Sequence, residues 1–294
     1  MKYKEIFDEF LRHIDQSLRD FLPRADLYPQ ALHEAMHYAV LNGGKRFRPL
    51  LTLSVCEALG GSLEQALYPA CALELIHCYS LVQDDLPALD NDDTRRGNPT
   101  CHKKFGEATA LLASDGLLTL AFEILTKVKP AEIAVRLARE ISTASGTCGM
   151  IGGQVADLEF ASKPVDLAML DFINIHKTGQ LIKASTMAGA IAAKASDENA
   201  SRMNRYGELL GLAFQCVDDL LDGDGYLRHM SAHELESNTR LLVFKAKEEV
   251  RPFGKLAEKL VFLADFLEQR MPKTTHVSMD WKNQFPPGSE KNPA

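Results

Sequence analysis

Apolar residues recur at three-to-four spacing along almost the whole chain up to about residue 270, and period-two alternation bounded by turn residues is hard to find. That periodicity predicts an all-α protein. Helices are expected over 3–21 and 29–41, the second ended by Asn42-Gly43-Gly44 as a glycine C-cap would end it. Further helices are expected over 48–59, 63–83, 104–127, 131–145, 166–195, 200–221 and 232–270. The stretches 117–125 and 182–193 are apolar on more than one face, which suits the centre of a bundle. No internal repeat and no interdomain linker precedes residue 271, so 1–271 is expected to form a single large helical bundle. From Pro272 to Ala294 the chain is polar, proline-bearing and aperiodic and reads as a disordered C-terminal tail, with Trp281 and Phe285 the side chains able to dock it onto the surface.

Composition narrows the partners. At 46% hydrophobic residues the chain has ample material for a core, whereas length alone does not choose between one domain and two. A net charge of -7 argues against nucleic acid, whose phosphates demand a basic surface, so any anionic ligand must be held by a local basic cluster. The six cysteines are scattered without a CxxC pair, as reduced core thiols of a cytoplasmic protein would be. The N-terminus alternates charged and apolar residues, unlike a signal peptide, and no run approaches the roughly 18 apolar residues of a membrane span.

Two aspartate clusters change the picture. Asp84-Asp85-Leu-Pro-Ala-Leu-Asp90 and Asp218-Asp219-Leu-Leu-Asp222 are each embedded in apolar helical sequence. One such pair alone would read as a solvated helix end. Two of them, apolar on both flanks, must be neutralised by cations, because carboxylates crowded in a low dielectric repel one another and lose hydration. Oxygen donors with no cysteine or histidine at ligand spacing favour Mg²⁺, which shares its shell with waters and substrate phosphates. Asp218 and Asp222, at i and i+4, share a helix face with Gly211 and Gln215, with Cβ atoms about 5–6 Å apart. Asp84 and Asp90 would be misaligned on a straight helix, and Pro87 supplies the bend between them.

Cations lie nearby in sequence, three of them in Gly43-Gly44-Lys45-Arg46-Phe47-Arg48 and two in Arg95-Arg96-Gly97. Arginine forks and lysine point charges suit phosphate oxygens. Charge balance with Asp84–Asp93 accounts for Arg95 and Arg96 but not for Lys45 and Arg48. His77 stands two helical turns before Asp84 on the same face, where it is either a core histidine or a ligand-facing one. The Walker, EF-hand and HExxH patterns are not met, and Gly152-Gly153-Gln154 reads as a helix junction.

Taken in order, Gly43–Pro49, Ile76–Asp90, Asn91–Gly97, His176-Lys177-Thr178-Gly179 and Phe214–Asp222 resemble the motifs of the trans-isoprenyl diphosphate synthases, most closely their bacterial, short-chain, farnesyl-forming branch. The resemblance covers most of residues 41–225 and implies an isoprenoid-synthase-type bundle with a central active-site cavity. It implies three Mg²⁺ ions, two held by Asp84 and Asp90 and a third by Asp218, with Asp85, Asp219 and Asp222 supporting waters and geometry. It implies Arg95 and Lys177 on the allylic diphosphate, and Lys45, Arg48, His77 and Arg96 on isopentenyl diphosphate. Thr178 and Gln215 would line the reacting cation, and Tyr79, with Ser80 beside it, would floor the tunnel that sets product length. A homodimer is implied as well.

The chain also departs from that pattern. A loop with an Asp-Lys pair and a Thr/Ser-Tyr-Pro segment normally follows the second aspartate motif; here Asp222 runs almost directly into the helix containing Lys245-Ala-Lys247. The lost lysine would have met the allylic diphosphate, and loss of one such contact commonly costs on the order of 10²–10³ in rate. Arg228 is the candidate substitute. Gln83 stands where a histidine is common. A longer-chain (geranylgeranyl) synthase and a catalytically impaired partner subunit are the competing readings; a terpene cyclase would not need Lys45, Arg48 and His77 for a second diphosphate.

Overall fold

Periodic apolar stripes along the chain produce a helical bundle whose elements we number in order. The computed structural model describes residues 3–161 and 163–272; the predicted tail from 273 onward lies outside the described residues. The first four helices are α1 (Tyr3–Phe21), α2 (Gln30–Leu41), α3 (Phe47–Ala58) and α4 (Leu63–Asp84). A small hairpin of β1 (Thr94–Arg95) and β2 (Asn98–Pro99) follows, then α5 (Cys101–Phe105), α6 (Glu107–Leu125), α7 (Ala131–Ser145), α8 (Met150–Phe160) and α9 (Leu167–Asn174). After a π-turn (Ile175–Gly179) come α10 (Gln180–Ala192), α11 (Asp197–Asp222), α12 (Ala232–Val250) and α13 (Glu258–Arg270).

The centre is made by α3, α4 and α10, which are buried on most of their faces. Small residues let them approach: Ala184, Ala188 and Ala190 of α10 are almost wholly inaccessible, as are Ala66, Ala70 and Ala72 of α4. The amphipathic α1 and α7 pack one stripe inward, Phe7, Phe10, Ile14 and Leu18 in the first case. Only part of α6 is central. It buries Leu117, Ala121 and Ile124 but leaves Leu111 and Leu112 exposed, and by length and composition alone it is apolar enough to cross a bilayer.

Several expected helices are interrupted. The stretch 166–195 is split by the π-turn, which closes i→i+5 bonds over Ile175–Gly179. The stretch 232–270 is split by the 3₁₀ segment Arg251–Ala257, where Pro252 removes a donor and Gly254 adopts a φ of 54°. A helix not anticipated, α8, forms directly after Gly149, and it contains Gly152 and Gly153 rather than a junction between helices. The first aspartate cluster is bent as anticipated: α4 ends at Asp84, and the Asp90 amide turns back to donate to the Asp84 carbonyl at 2.8 Å. In the hairpin, Arg96 and Gly97 have φ values of 54° and 78°, as a two-residue turn of this hand requires.

One buried ion network fixes the loop before α3. Arg46 sits at the helix N-cap with a left-handed φ of 53°, a conformation that is costly outside glycine. Its guanidinium donates to Asp15 of α1 at 2.9 Å and to Glu74 of α4 at 2.8 Å, and the Tyr3 hydroxyl donates to the Lys45 carbonyl at 2.9 Å. Arg46 and Glu74 are only 5% and 2% exposed, so neither charge tolerates losing the other. Arg46→Ala is therefore expected to lower unfolding free energy by about 3–5 kcal/mol, measured by denaturant titration; a change below about 1 kcal/mol would show that the pair does not hold the loop.

Candidate active site

Where α4, the hairpin, α8, the π-turn and α11 converge, a cavity of about 620 Å³ opens. Asp84, Arg95, Lys177, Thr178 and Asp218 supply its polar surface, while Leu89, Met150, Ile151, Val155 and Leu158 give it an apolar wall. Tyr79, 2% exposed, and Ser80 lie along the same wall on α4. A second cavity of about 570 Å³ adjoins it, formed by the loop Asn42–Arg48 with Glu74, His77, Arg96, Phe214, Phe266 and Arg270. Arg48, His77, Arg96, Phe214 and Arg270 line both.

The acidic groups divide by environment. Burial pushes the Asp84 carboxyl up to about 6, a rise that Lys177 opposes and nearby Asp90 reinforces. Asp218 is also raised by burial, with Arg270 opposing: the Arg270 guanidinium donates to it at 2.8 Å. Asp85 is buried and taken by Arg95 at 2.6 Å. Asp219 accepts the Tyr226 amide at 2.8 Å and the Gln215 amide group at 2.7 Å, so it anchors the turn after α11. Asp222 is exposed one turn further on. Gln215 is not on the cavity wall, and Asp90 reaches the site through its backbone bond to Asp84.

Among the described residues no three acidic, histidine or cysteine side chains converge into a ready-made metal cluster. Asp84 and Asp218 instead face one cavity separately. Such a donor set fits Mg²⁺, which retains waters and takes phosphate oxygens as ligands, and the raised Asp84 carboxyl marks a charge that a cation would stabilise.

The cationic side is packed tightly. Arg48 is buried with its Nε lacking a hydrogen-bond partner, and burial lowers its pKa. His77 is held well below its ordinary pKa by burial, then by Arg48, Arg96, Arg95 and Arg46, so its imidazole is neutral. Arg96 donates to the Gly43 carbonyl, and the neighbouring Gly44 has a φ of 131°, a conformation that favours glycine. Lys45 lies 5.1 Å from the centre of the Phe266 ring. Lys177 is carried on the π-turn and donates to Asp157 of α8 at 2.6 Å. That close approach depends on Gly153, since a Cβ there would collide with the backbone of His176 and Lys177.

Three site residues were missed in the sequence. Gln154 lines the first cavity with its amide nitrogen buried and unpartnered, and Asp157 holds Lys177. Both follow the paired glycines, and their i, i+3 polar spacing was the available signal. Arg270 gave no local signal, because only the return of α13 brings it to Asp218. Arg228, the expected substitute, is mostly exposed, pairs with Asp224 and lines neither cavity. The connection from α11 to α12 takes nine residues, 223–231, through a 3₁₀ turn and a Ser231–Glu234 capping box.

The fold and these paired cavities define an all-α enzyme of the isoprenoid-synthase class, as comparison with known proteins bears out. Residues 29–230 match the polyprenyl synthetase family model, and the chain belongs to that family. A farnesyl diphosphate synthase from Geobacillus stearothermophilus is 42% identical over 229 residues, covering 76% of this chain and 77% of the relative. A geranylgeranyl diphosphate synthase from Cyanophora paradoxa is 40% identical over 280 residues, covering 87% and 93%. The structure of an FPP/GFPP synthase from Zymomonas mobilis superposes with a TM-score of 0.86 at 37% identity, covering 90% of this chain and 98% of that one. The chain is thus a prenyltransferase of the trans-isoprenyl diphosphate synthase type.

A carboxyl whose folded pKa is raised favours the protonated fold, and that stabilisation is lost as pH rises from the ordinary carboxylate range through about 6. Asp84→Asn should therefore stabilise the metal-free protein near pH 7.5, by up to about 3 kcal/mol, and less at pH 5. Thermal melts in chelator at both pH values check this; a destabilised variant, or an equal gain at both, contradicts it.

Proposed function

We propose that the chain condenses isopentenyl diphosphate with dimethylallyl and then geranyl diphosphate to form farnesyl diphosphate, in a Mg²⁺-dependent reaction. The observation that carries this reading is the pair of adjoining cavities: one joins carboxylates to an apolar wall, and the other is dominated by cations. Asp84, Asp90 and Asp218 would hold the metal, with Asp85, Asp219 and Asp222 supporting them. Bound Mg²⁺ neutralises charge developing on the leaving diphosphate. Arg95 and Lys177 hold the allylic diphosphate, so the C–O bond breaks in a site already supplied with positive charge. Lys45, Arg48, Arg96 and neutral His77 hold isopentenyl diphosphate in the second cavity, with its double bond toward the allylic cation. A C–C bond forms and a proton leaves to the departed diphosphate.

Thr178 presents a hydroxyl dipole to the cation; Gln215, expected to do the same, instead donates to Asp219 and lies off the cavity wall. The apolar wall excludes water, which would otherwise capture the cation. Tyr79, buried five residues before Asp84, is the proposed floor for a fifteen-carbon chain. A geranylgeranyl product is the second reading, because relatives of similar identity have either name. A second copy of the chain is the proposed partner, with exposed Leu111 and Leu112 of α6 available to meet it. All six cysteines are free, in keeping with a cytoplasmic placement.

Incubation with Mg²⁺, isopentenyl diphosphate and geranyl diphosphate, read by mass spectrometry, should give a C15 product. A C20 product selects the second reading. No product while diphosphate still binds would favour an inert subunit that gains activity only when mixed with another synthase. Tyr79→Ala should lengthen the product; unchanged C15 rules out its role as floor.

A further inference from the structure

Arg270 is the last residue of α13, and it is unusual in lining both cavities while neutralising a carboxylate of the first. Its guanidinium lies 5.2 Å from the centre of the Phe214 ring and 2.8 Å from Asp218, one helical turn further along α11. Pair and ring are only partly accessible, at 22% and 31% exposure for the two charged side chains, so the contact is neither a solvated surface pair nor a locked core pair. A divalent ion on Asp218 would confront this guanidinium with a like charge at short range. Within reach of the long side chain is the second cavity, where Lys45, Arg48 and Arg96 gather and the one lining carboxylate, Glu74, is already paired with Arg46, so a further cation is welcome there when a ligand anion is present. Phe214 borders both spaces, and its face stabilises the guanidinium on either side.

We propose that Arg270 is an exchangeable cation: it neutralises Asp218 before metal loading and, displaced by the metal, moves past Phe214 to the diphosphate in the second cavity. The inference rests on the proposed function for the identity of that diphosphate. The exchange couples metal loading to isopentenyl diphosphate binding, and by linkage each tightens the other.

The test compares the intact wild-type chain with Arg270→Ala and Arg270→Lys, using Mn²⁺ alone followed by electron paramagnetic resonance, and isopentenyl diphosphate followed by calorimetry with and without Mg²⁺. Removing a competitor from Asp218 should tighten Mn²⁺ binding roughly fivefold or more in Arg270→Ala, on the scale of ordinary site coupling. The same variant should bind isopentenyl diphosphate about tenfold more weakly in Mg²⁺ and lose the enhancement by Mg²⁺, with Arg270→Lys intermediate. A merely structural arginine would weaken both ligands together. Unchanged or weaker Mn²⁺ binding, Mn²⁺ binding by neither protein, or an unaltered isopentenyl diphosphate affinity overturns the exchange. Both readouts need no turnover, so a wild-type protein that makes no product would defeat the proposed function while leaving this test decisive.

Discussion

Asp84 and Asp218 are part-buried carboxylates that face one cavity from separate helices, and the cost of their ionisation is the constraint on which the site depends. Burial drives both toward the protonated form, so the surrounding groups must supply positive charge or accept a neutral acid. Arg270 supplies it at Asp218, while Arg95 is committed to the neighbouring Asp85 and Lys177 to Asp157. Arg95, Lys177 and Arg270, three of the cations lining the first cavity, are thus already paired with protein carboxylates. In the proposed reaction, a polyanionic substrate accompanied by divalent metal would offer these groups a stronger partner.

The scaffold serves the same constraint. The buried Arg46–Glu74 pair, joined by half-exposed Asp15, holds a strained turn that delivers Lys45 and Arg48 on either side of it, and the hairpin turn delivers Arg95 and Arg96. Glycines set the distances where backbones must meet, as at Gly153 against the π-turn carrying Lys177 and Thr178. A π-turn is an energetically poor element, and its presence at the one place where a helix must carry a lysine and a threonine into a cavity agrees with the general association of such turns with functional sites.

Much of this architecture was legible in the chain. The boundaries of α1 and α7 follow directly from amphipathic periodicity, and the bend between Asp84 and Asp90 follows from Pro87. The π-turn was not legible, since one extra residue per turn leaves the apolar spacing of 166–195 nearly intact. Pro252 and Gly254 did mark the break before α13, but the apolar period resumes beyond them and hides it. Arg270 stayed hidden for a different reason: 52 residues separate it from Asp218, and a contact made by tertiary return has no local signature. Arg228 was the nearer candidate in sequence, and the short turn after α11 pairs it with Asp224 instead.

The central claim is that two adjoining cavities hold two diphosphates at once, only one of them through metal. Sequential calorimetry tests it most directly, titrating geranyl diphosphate and then isopentenyl diphosphate into the protein with and without Mg²⁺. Geranyl diphosphate binding that requires Mg²⁺, together with isopentenyl diphosphate binding in its absence at a separate site, is the predicted result. Mutual competition for a single site, or metal-independent binding of geranyl diphosphate, would contradict the account.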